Sequence, residues 1–257
     1  MAESGREEPL TGGNVSTAVA RVGDTVRRPA GFWSESVDAF LRHLEHVGYR
    51  GAPRSLGFDE QGRHVVEFVD GAVPMPYEPA DHPSAVRRVG ALIRDFHDAA
   101  AGFVPPPGAR WNVVIAPDAN DLIVHHDLAP WNLVCGRDRW VFIDFDAAGP
   151  GSRLWDLAYA AHGFVPLSPP TPVAVAAERL AALADGYGLD EAGRHGLADR
   201  LVPRIRGMYD LLRAGHRTGT QPWGRLWSEG HGRTWRADAR YAQRHLTRLR
   251  ERLLLAD

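Results

Sequence analysis

The sequence predicts an α+β chain of two unequal lobes: a small N-terminal antiparallel sheet with one helix, then a larger, mainly helical C-terminal lobe. Three observations predict it. Short β-prone runs separated by turn signals fill the first 70 residues. Asp70-Gly71, followed by Pro74, Pro76 and Pro79, then breaks the pattern like a hinge. Beyond Pro150 the apolar residues recur at helical spacing almost to the C-terminus.

Taken in order, residues 14–22 and 24–28 read as two strands joined by a Gly23-Asp24 turn. Ser34 is the expected N-cap of a helix whose Val37, Phe40, Leu41, Leu44 and Val47 share a face, and Gly48 closes it. Residues 53–58 and 64–69 form a second hairpin around 59–62. Residues 85–101 make a helix with Val86, Val89, Leu92, Ile93 and Phe96 on one side, ended by Pro105-Pro-Pro-Gly108. Two short strands follow, and helices are expected over about 152–162, 172–187, 190–214 and 229–254. The expected division is a disordered acidic tail over 1–9, an N-terminal lobe over 10–70 and a C-terminal lobe over 71–257.

Composition narrows the function classes. The 257 residues carry 44% hydrophobic and 24% charged side chains with a formal net charge of −2, ordinary values for a globular chain with a real core. There is no basic excess to neutralise nucleic-acid phosphates, so no nucleic-acid partner is expected. No apolar run approaches the roughly 20 residues of a membrane span, and the acidic N-terminus lacks a signal peptide's apolar core. One cysteine, Cys135, allows no internal disulfide; a cytoplasmic setting is expected. All thirty Lys and Arg positions are Arg.

The chemistry is concentrated between residues 122 and 146. His125, Asp127 and Asn132 read H-x-D-x-x-x-x-N, and Asp144 ends a second apolar run, Val141-Phe-Ile. An apolar run before each piece puts both polar sets at strand ends. Phosphoryl transfer from a nucleotide needs this set: a carboxylate to orient a hydroxyl, and an amide oxygen with a second carboxylate to hold Mg²⁺. Adjacent His125 and His126 would point to opposite faces of a strand, a poor joint ligand pair for a metal hydrolase.

The order of strands, one helix, hinge and helical lobe, with Asp144-Phe-Asp146 in place of Asp-Phe-Gly, resembles the aminoglycoside phosphotransferase family, which also includes choline, homoserine and fructosamine kinases. The likeness extends through Gly149-Pro-Gly-Ser-Arg-Leu-Trp-Asp-Leu-Ala158. The resemblance implies a protein-kinase-like fold with Asp127 as the catalytic carboxylate and Asn132 and Asp144 as Mg²⁺ ligands. His125 would be architectural, packed under the metal-binding Asp, and Asp156 would brace the catalytic loop. Asp146 would either touch a second metal through water or merely replace Gly.

For the nucleotide, Gly12 and Gly13 fall where a phosphate-covering hairpin belongs. The family's phosphate-contacting Lys must here be Arg28, with Arg27 as the alternative on the opposite face. Glu35 is the candidate acidic partner and Asp38 the runner-up. Adenine would lie near Phe68, Val69, Asp70 and Gly71. The implied donor is ATP or GTP, and the acceptor a small hydroxylated molecule, an aminoglycoside-like antibiotic or a metabolite. Asp210, Glu229, Trp223, Trp227 and Trp235 are candidates to line the acceptor site. The competing expectation is a kinase-fold binding or immunity protein with weak or no transfer. A protein kinase is disfavoured by the missing Ala-Pro-Glu segment. Oligomeric state, monomer or dimer, is left open.

Overall fold

The computed structural model describes residues 6–10, 18–74 and 83–255. An antiparallel five-stranded sheet opens the chain, ordered β1-β2-β3-β5-β4. Its strands are β1 (Glu8–Pro9), β2 (Ala20–Val22), β3 (Thr25–Arg28), β4 (Ser55–Phe58) and β5 (His64–Glu67). Gly23 takes φ +58° in the β2–β3 turn, where a side chain would be strained. Part of the expected tail is ordered: Glu8 and Pro9 pair with Arg21 and Ala20, and the Glu7 carboxylate accepts from Arg63 at 2.9 Å. The edge of β2 supplies the backbone partners, and Arg63, which also holds Asp59, supplies the charge.

Helix α1 (Ser34–His46) connects β3 to β4. Ser34 is the first helical residue rather than the cap, which is Trp33. Its hydroxyl accepts from the Gly31 N–H at 2.9 Å, so it braces the entering turn instead. α1 buries Val37, Phe40, Leu41 and Leu44, and Phe40 meets Phe96 and Phe145 edge-on with centroids 6.1 and 6.2 Å apart. That aromatic contact carries one continuous core from the small sheet into the rest of the chain.

After β5 the chain crosses onto the second lobe through an isolated bridge between Ala72 and Cys135. α2 (Pro83–Ala100) buries Val86, Val89, Ile93 and Phe96 at the expected spacing. Two small two-stranded sheets follow, β6 (Leu122–Val124) with β9 (Gly149–Gly151), and β7 (Leu133–Cys135) with β8 (Trp140–Phe142). The remainder is helical: α3 (Arg153–Phe164), α4 (Val173–Tyr187), α5 (Glu191–Thr218), α6 (Trp223–Ser228) and α7 (His231–Leu254). α2 packs on α4, and α5 on α3, α6 and α7. Gly90 and Gly186 let α2 and α4 touch: a Cβ on Gly90 would stand 2.3 Å from the Leu183 carbonyl oxygen. No helix among the described residues is long and apolar enough to cross a membrane.

Candidate active site

Strand β6 leads directly into His125-His126-Asp127, and the β7–β8 hairpin returns the chain so that Asp144 follows β8 on the same side. Hydrogen bonds stitch the two pieces together. The Asn132 amide donates to the Asp127 carboxylate at 2.8 Å and to its backbone carbonyl at 3.0 Å. The Ile143 N–H donates to the Asn132 carbonyl at 2.8 Å. His125 locks the corner: its Nδ1 accepts from the Asp127 N–H (3.2 Å), and its Nε2 donates to the Ile143 carbonyl (3.0 Å). Its ring also lies 4.5 Å from that of Phe145. His126 and Asp144 both sit in the left-handed region, at φ +64° and +65°. Such strain in non-glycine residues clusters where geometry is imposed by function.

Beneath this loop Asp156 is fully buried. Its carboxylate accepts the backbone N–H groups of His125 (3.1 Å) and His126 (2.8 Å), and His97 Nε2 at 3.2 Å. His97 Nδ1 in turn meets the Tyr187 hydroxyl at 2.8 Å. Burial raises the Asp156 carboxyl, but His97 and its neighbours outweigh that and hold it below the ordinary carboxylate range. Burial keeps His97 and His126 below the ordinary imidazole value, hence neutral.

Asp127 behaves oppositely. Burial pushes its carboxyl above the ordinary range, aided by Asp144, while Tyr159, His125 and Asn132 pull it down. A carboxylate made more basic in this way is suited to accept a hydroxyl proton.

Across the cleft, Arg28 on β3 reaches Asp144 at 2.6 Å and Asp146 at 2.8 Å. Burial disfavours its charge, yet the two carboxylates more than restore it. Arg27, its neighbour, turns to the other side and meets Asp59 at 3.7 Å. The expected acidic partner fails: Glu35 is exposed in the first turn of α1, and Asp38 is engaged by Arg42 and Ser55. Arg28 is satisfied from the other lobe instead. Phe68 donates its N–H to the Asp24 carbonyl and carries the Arg21 guanidinium over its ring at 3.7 Å. Val69 follows, half-buried. Gly12 and Gly13 lie outside the described residues.

Asp144 and Asp146 already gather one cation, Arg28, and Asn132 adds an amide oxygen to the same loop pair through the Ile143 N–H bond to its carbonyl. Among the described residues no three His, Cys, Asp or Glu side chains could hold a metal unaided. This donor set therefore suits a cation that arrives with phosphate oxygens of its own.

A model of the family described as "Phosphotransferase enzyme family" matches residues 108–199, the span holding Asp127, Asn132, Asp144 and Asp156. The trifolitoxin immunity protein of Rhizobium leguminosarum bv. trifolii is 35% identical over 209 residues, covering 75% of this chain and 78% of that protein. The chain belongs to the phosphotransferase enzyme family. Its fold is kinase-like. A choline/ethanolamine kinase family protein from Mesorhizobium loti superposes with a TM-score of 0.65 at 18% identity, covering 96% of this chain and 93% of the other. A microcompartment-associated aminopropanol kinase gives 0.66 at 17%, covering 99% and 95%. The amicoumacin kinase hAmiN, solved with AMP-PNP, Ca²⁺ and Ami, gives 0.64 at 16%, covering 96% and 87%.

Two side chains at this phosphotransferase-family site escaped the sequence reading. Tyr159 lies one helical turn beyond Asp156 on α3, near enough to the Asp127 carboxylate to pull its pKa down. Its signal was the i, i+3 spacing from Asp156. Arg204 is buried inside α5, donates to the His126 carbonyl at 2.8 Å, and lies 4.2 Å over the Tyr159 ring. Its signal was a charge at a helical core position, between Leu201 and Ile205. Burial lowers the Arg204 pKa from its ordinary value, against the pull of Tyr159, Asp156 and Asp127. Of the acceptor candidates, Trp235 is buried against Tyr159, with parallel rings 6.1 Å apart. Trp223 and Trp227 are half-buried, while Asp210 and Glu229 are exposed and paired with Arg206 and Arg225.

Proposed function

We propose that this protein transfers the γ-phosphoryl group of ATP or GTP to a hydroxyl of a small acceptor. The observation that carries the reading is the hydrogen-bonded convergence of Asp127, Asn132 and Asp144 opposite Arg28. Asp127 orients the acceptor hydroxyl and takes its proton as the new O–P bond forms and the β–γ bridging bond breaks. The Asn132 amide, donating to Asp127, fixes which carboxylate oxygen stays free for that proton. Asn132 Oδ1 and Asp144, with Asp146 beside them, would hold Mg²⁺, which would neutralise charge on the transferring phosphates. Arg28 leaves the carboxylates and forks onto phosphate oxygens, replacing the family's Lys. His125 and Asp156 hold the loop, and Arg204 fixes its His126 carbonyl.

The nucleotide analogue in the amicoumacin kinase structure supports a nucleoside triphosphate as donor. The test is a Mg²⁺-dependent nucleotide-consumption screen against aminoglycosides, amino alcohols and sugars. Turnover with some acceptor in the wild type, lost in Asp127→Asn, is expected. No binding of nucleoside triphosphate, with or without Mg²⁺, would sink the reading.

One second reading has its own support. The immunity relative, and an Arg28 already neutralised by Asp144 and Asp146, fit a protein that protects by binding a toxin. Cells carrying Asp127→Asn would then survive challenge as well as cells carrying the wild type.

A further inference from the structure

We propose, resting on the phosphoryl-transfer reading above, that a buried chain of side chains, Asp38–Ser55–His64, positions Arg28 for the nucleotide phosphates. A neutral imidazole then stands in the place of the acidic partner expected from α1.

Register is the first argument. Arg28 at the end of β3 lies opposite His64 at the start of β5, as Val26 lies opposite Val66. Val66 in turn lies opposite Ser55 on β4. Side chains that are opposite one another, or two residues apart along a strand, share a face. Arg28, His64 and Ser55 therefore lie on one face of the sheet with Val66, which joins Val37 and Phe40 of α1 in the core. Opposite Cβ atoms stand roughly 4.5–5.5 Å apart in such a pair, so the Arg28 and His64 side chains start as neighbours.

Hydrogen bonding is the second. Ser55 donates its hydroxyl proton to the Asp38 carboxylate at 2.6 Å. A hydroxyl has one proton to give, so in its 2.8 Å contact with His64 the Nε2–H donates and the Ser55 oxygen accepts. Arg42 fixes the far end, holding both Asp38 oxygens at 3.0 Å. Phe58 stacks on the imidazole with centroids 5.2 Å apart. Ser55 and His64 are both buried. Burial, and to a lesser degree Arg28, keeps His64 below the ordinary imidazole value against the pull of Asp38 and Asp146, so the ring is neutral. With its one proton on Nε2, the ring has Nδ1 left as a lone-pair acceptor.

Arg28 itself is the third. It reaches Asp144 and Asp146 with a single nitrogen, Nη2. Its Nε and Nη1 have no hydrogen-bond partner among the described residues. A guanidinium that turns from those carboxylates to phosphate can rest Nε–H on His64 Nδ1 and fork its two outer nitrogens onto the phosphate oxygens. A carboxylate partner would draw off part of the positive charge. A neutral acceptor fixes the group and leaves its charge to the phosphates.

The test is a double-mutant cycle on nucleotide affinity. AMP-PNP with Mg²⁺ is titrated calorimetrically into the full chain as wild type, His64→Phe, Arg28→Met and the double variant, with thermal melts as the check on folding. His64→Phe keeps a ring against Phe58 and removes the acceptor. It should weaken binding about 10-fold, and should cost nothing further in the Arg28→Met background. A His64 that serves only the core would cost the same in both backgrounds, and that additivity overturns the proposal. So does His64→Phe binding like the wild type, or Arg28→Met doing so. Ser55→Ala, which leaves the imidazole but releases its tautomer, runs the same cycle if His64→Phe melts too low to titrate; its loss should likewise vanish in the Arg28→Met background. Wild type that binds AMP-PNP with an additive cycle leaves phosphoryl transfer standing. Wild type that binds no nucleotide overturns phosphoryl transfer, and the role of His64 with it.

Discussion

The floor of the loop that carries Asp127 and the mouth of the cleft beside it are built on opposite principles. In the floor, Asp156 is buried and saturated by two backbone N–H groups and His97. Nothing there needs a ligand. At the mouth, Asp144 and Asp146 are partly exposed, Asp144 is at positive φ, and both are balanced by Arg28 from the other lobe. That balance is provisional, since a phosphate would compete for the guanidinium and a divalent cation for the carboxylates. The contrast separates the residues that hold shape from those that exchange partners.

Asp127 sits on the border between the two, and its replacement should have the largest effect. Asp127→Asn keeps the shape but removes the proposed proton acceptor, so the phosphoryl-transfer rate should fall about 10²- to 10⁴-fold. Its thermal stability should hold or rise, because a carboxylate whose pKa is raised by burial costs stability at neutral pH. Steady-state kinetics and melts on one preparation check both halves. A rate that survives would place Asp127 with the floor. Asp156→Ala should do the reverse of a cleft mutation. It strands two buried N–H groups and His97, and should cost roughly 3–5 kcal/mol in denaturant titrations. A loss under about 1 kcal/mol would mean that the floor is not the structural half.

The mouth is probed by Arg28→Met. If Arg28 grips phosphate, the nucleotide KM should rise about 10- to 100-fold, the worth of one or two charge-assisted hydrogen bonds. Removing the cation also leaves Asp144 and Asp146 facing each other unbalanced. Added Mg²⁺ should therefore raise the melting temperature of the variant more than that of the wild type. Equal shifts would show that the two carboxylates do not gather a divalent ion.

Which parts of this were legible in the sequence follows from range. Asp127 and Asn132 lie within one short loop, so their spacing alone implies that the two side chains are neighbours, as their hydrogen bond shows. The helices announced themselves through periodicity, as α2 did with Val86, Val89, Ile93 and Phe96. α6, six residues long, is too short to show a period and was not expected. Strand alternation separated Arg27 from Arg28, but could not say what Arg28 meets 116 residues away. Glu35 lies close to Arg28 in sequence, yet α1 turns it to solvent and packs Val37 and Phe40 inward.

The smallest predicted effect returns to the floor, through pH. Burial lowers the pKa of His97 and His126 in the folded protein from the ordinary value of 6.5. The unfolded chain then takes up these protons first. Each imidazole's contribution is complete above about pH 6.5 and is lost as pH falls below it, by up to about 1.4 kcal/mol per unit. Asp156, depressed below the ordinary carboxylate range, loses its contribution only at much lower pH. Asp127 has the opposite sign, because its raised pKa means that acid relieves its burial. His126→Asn isolates one imidazole, since Asn tolerates the positive φ at that position. Denaturant titrations at intervals just below pH 6.5 should show a slope shallower than the wild type's by up to about 1.4 kcal/mol per unit. An unchanged slope would mean that the His126 ring reaches water and titrates freely, and that the floor is open where the bond to Pro150 closes it.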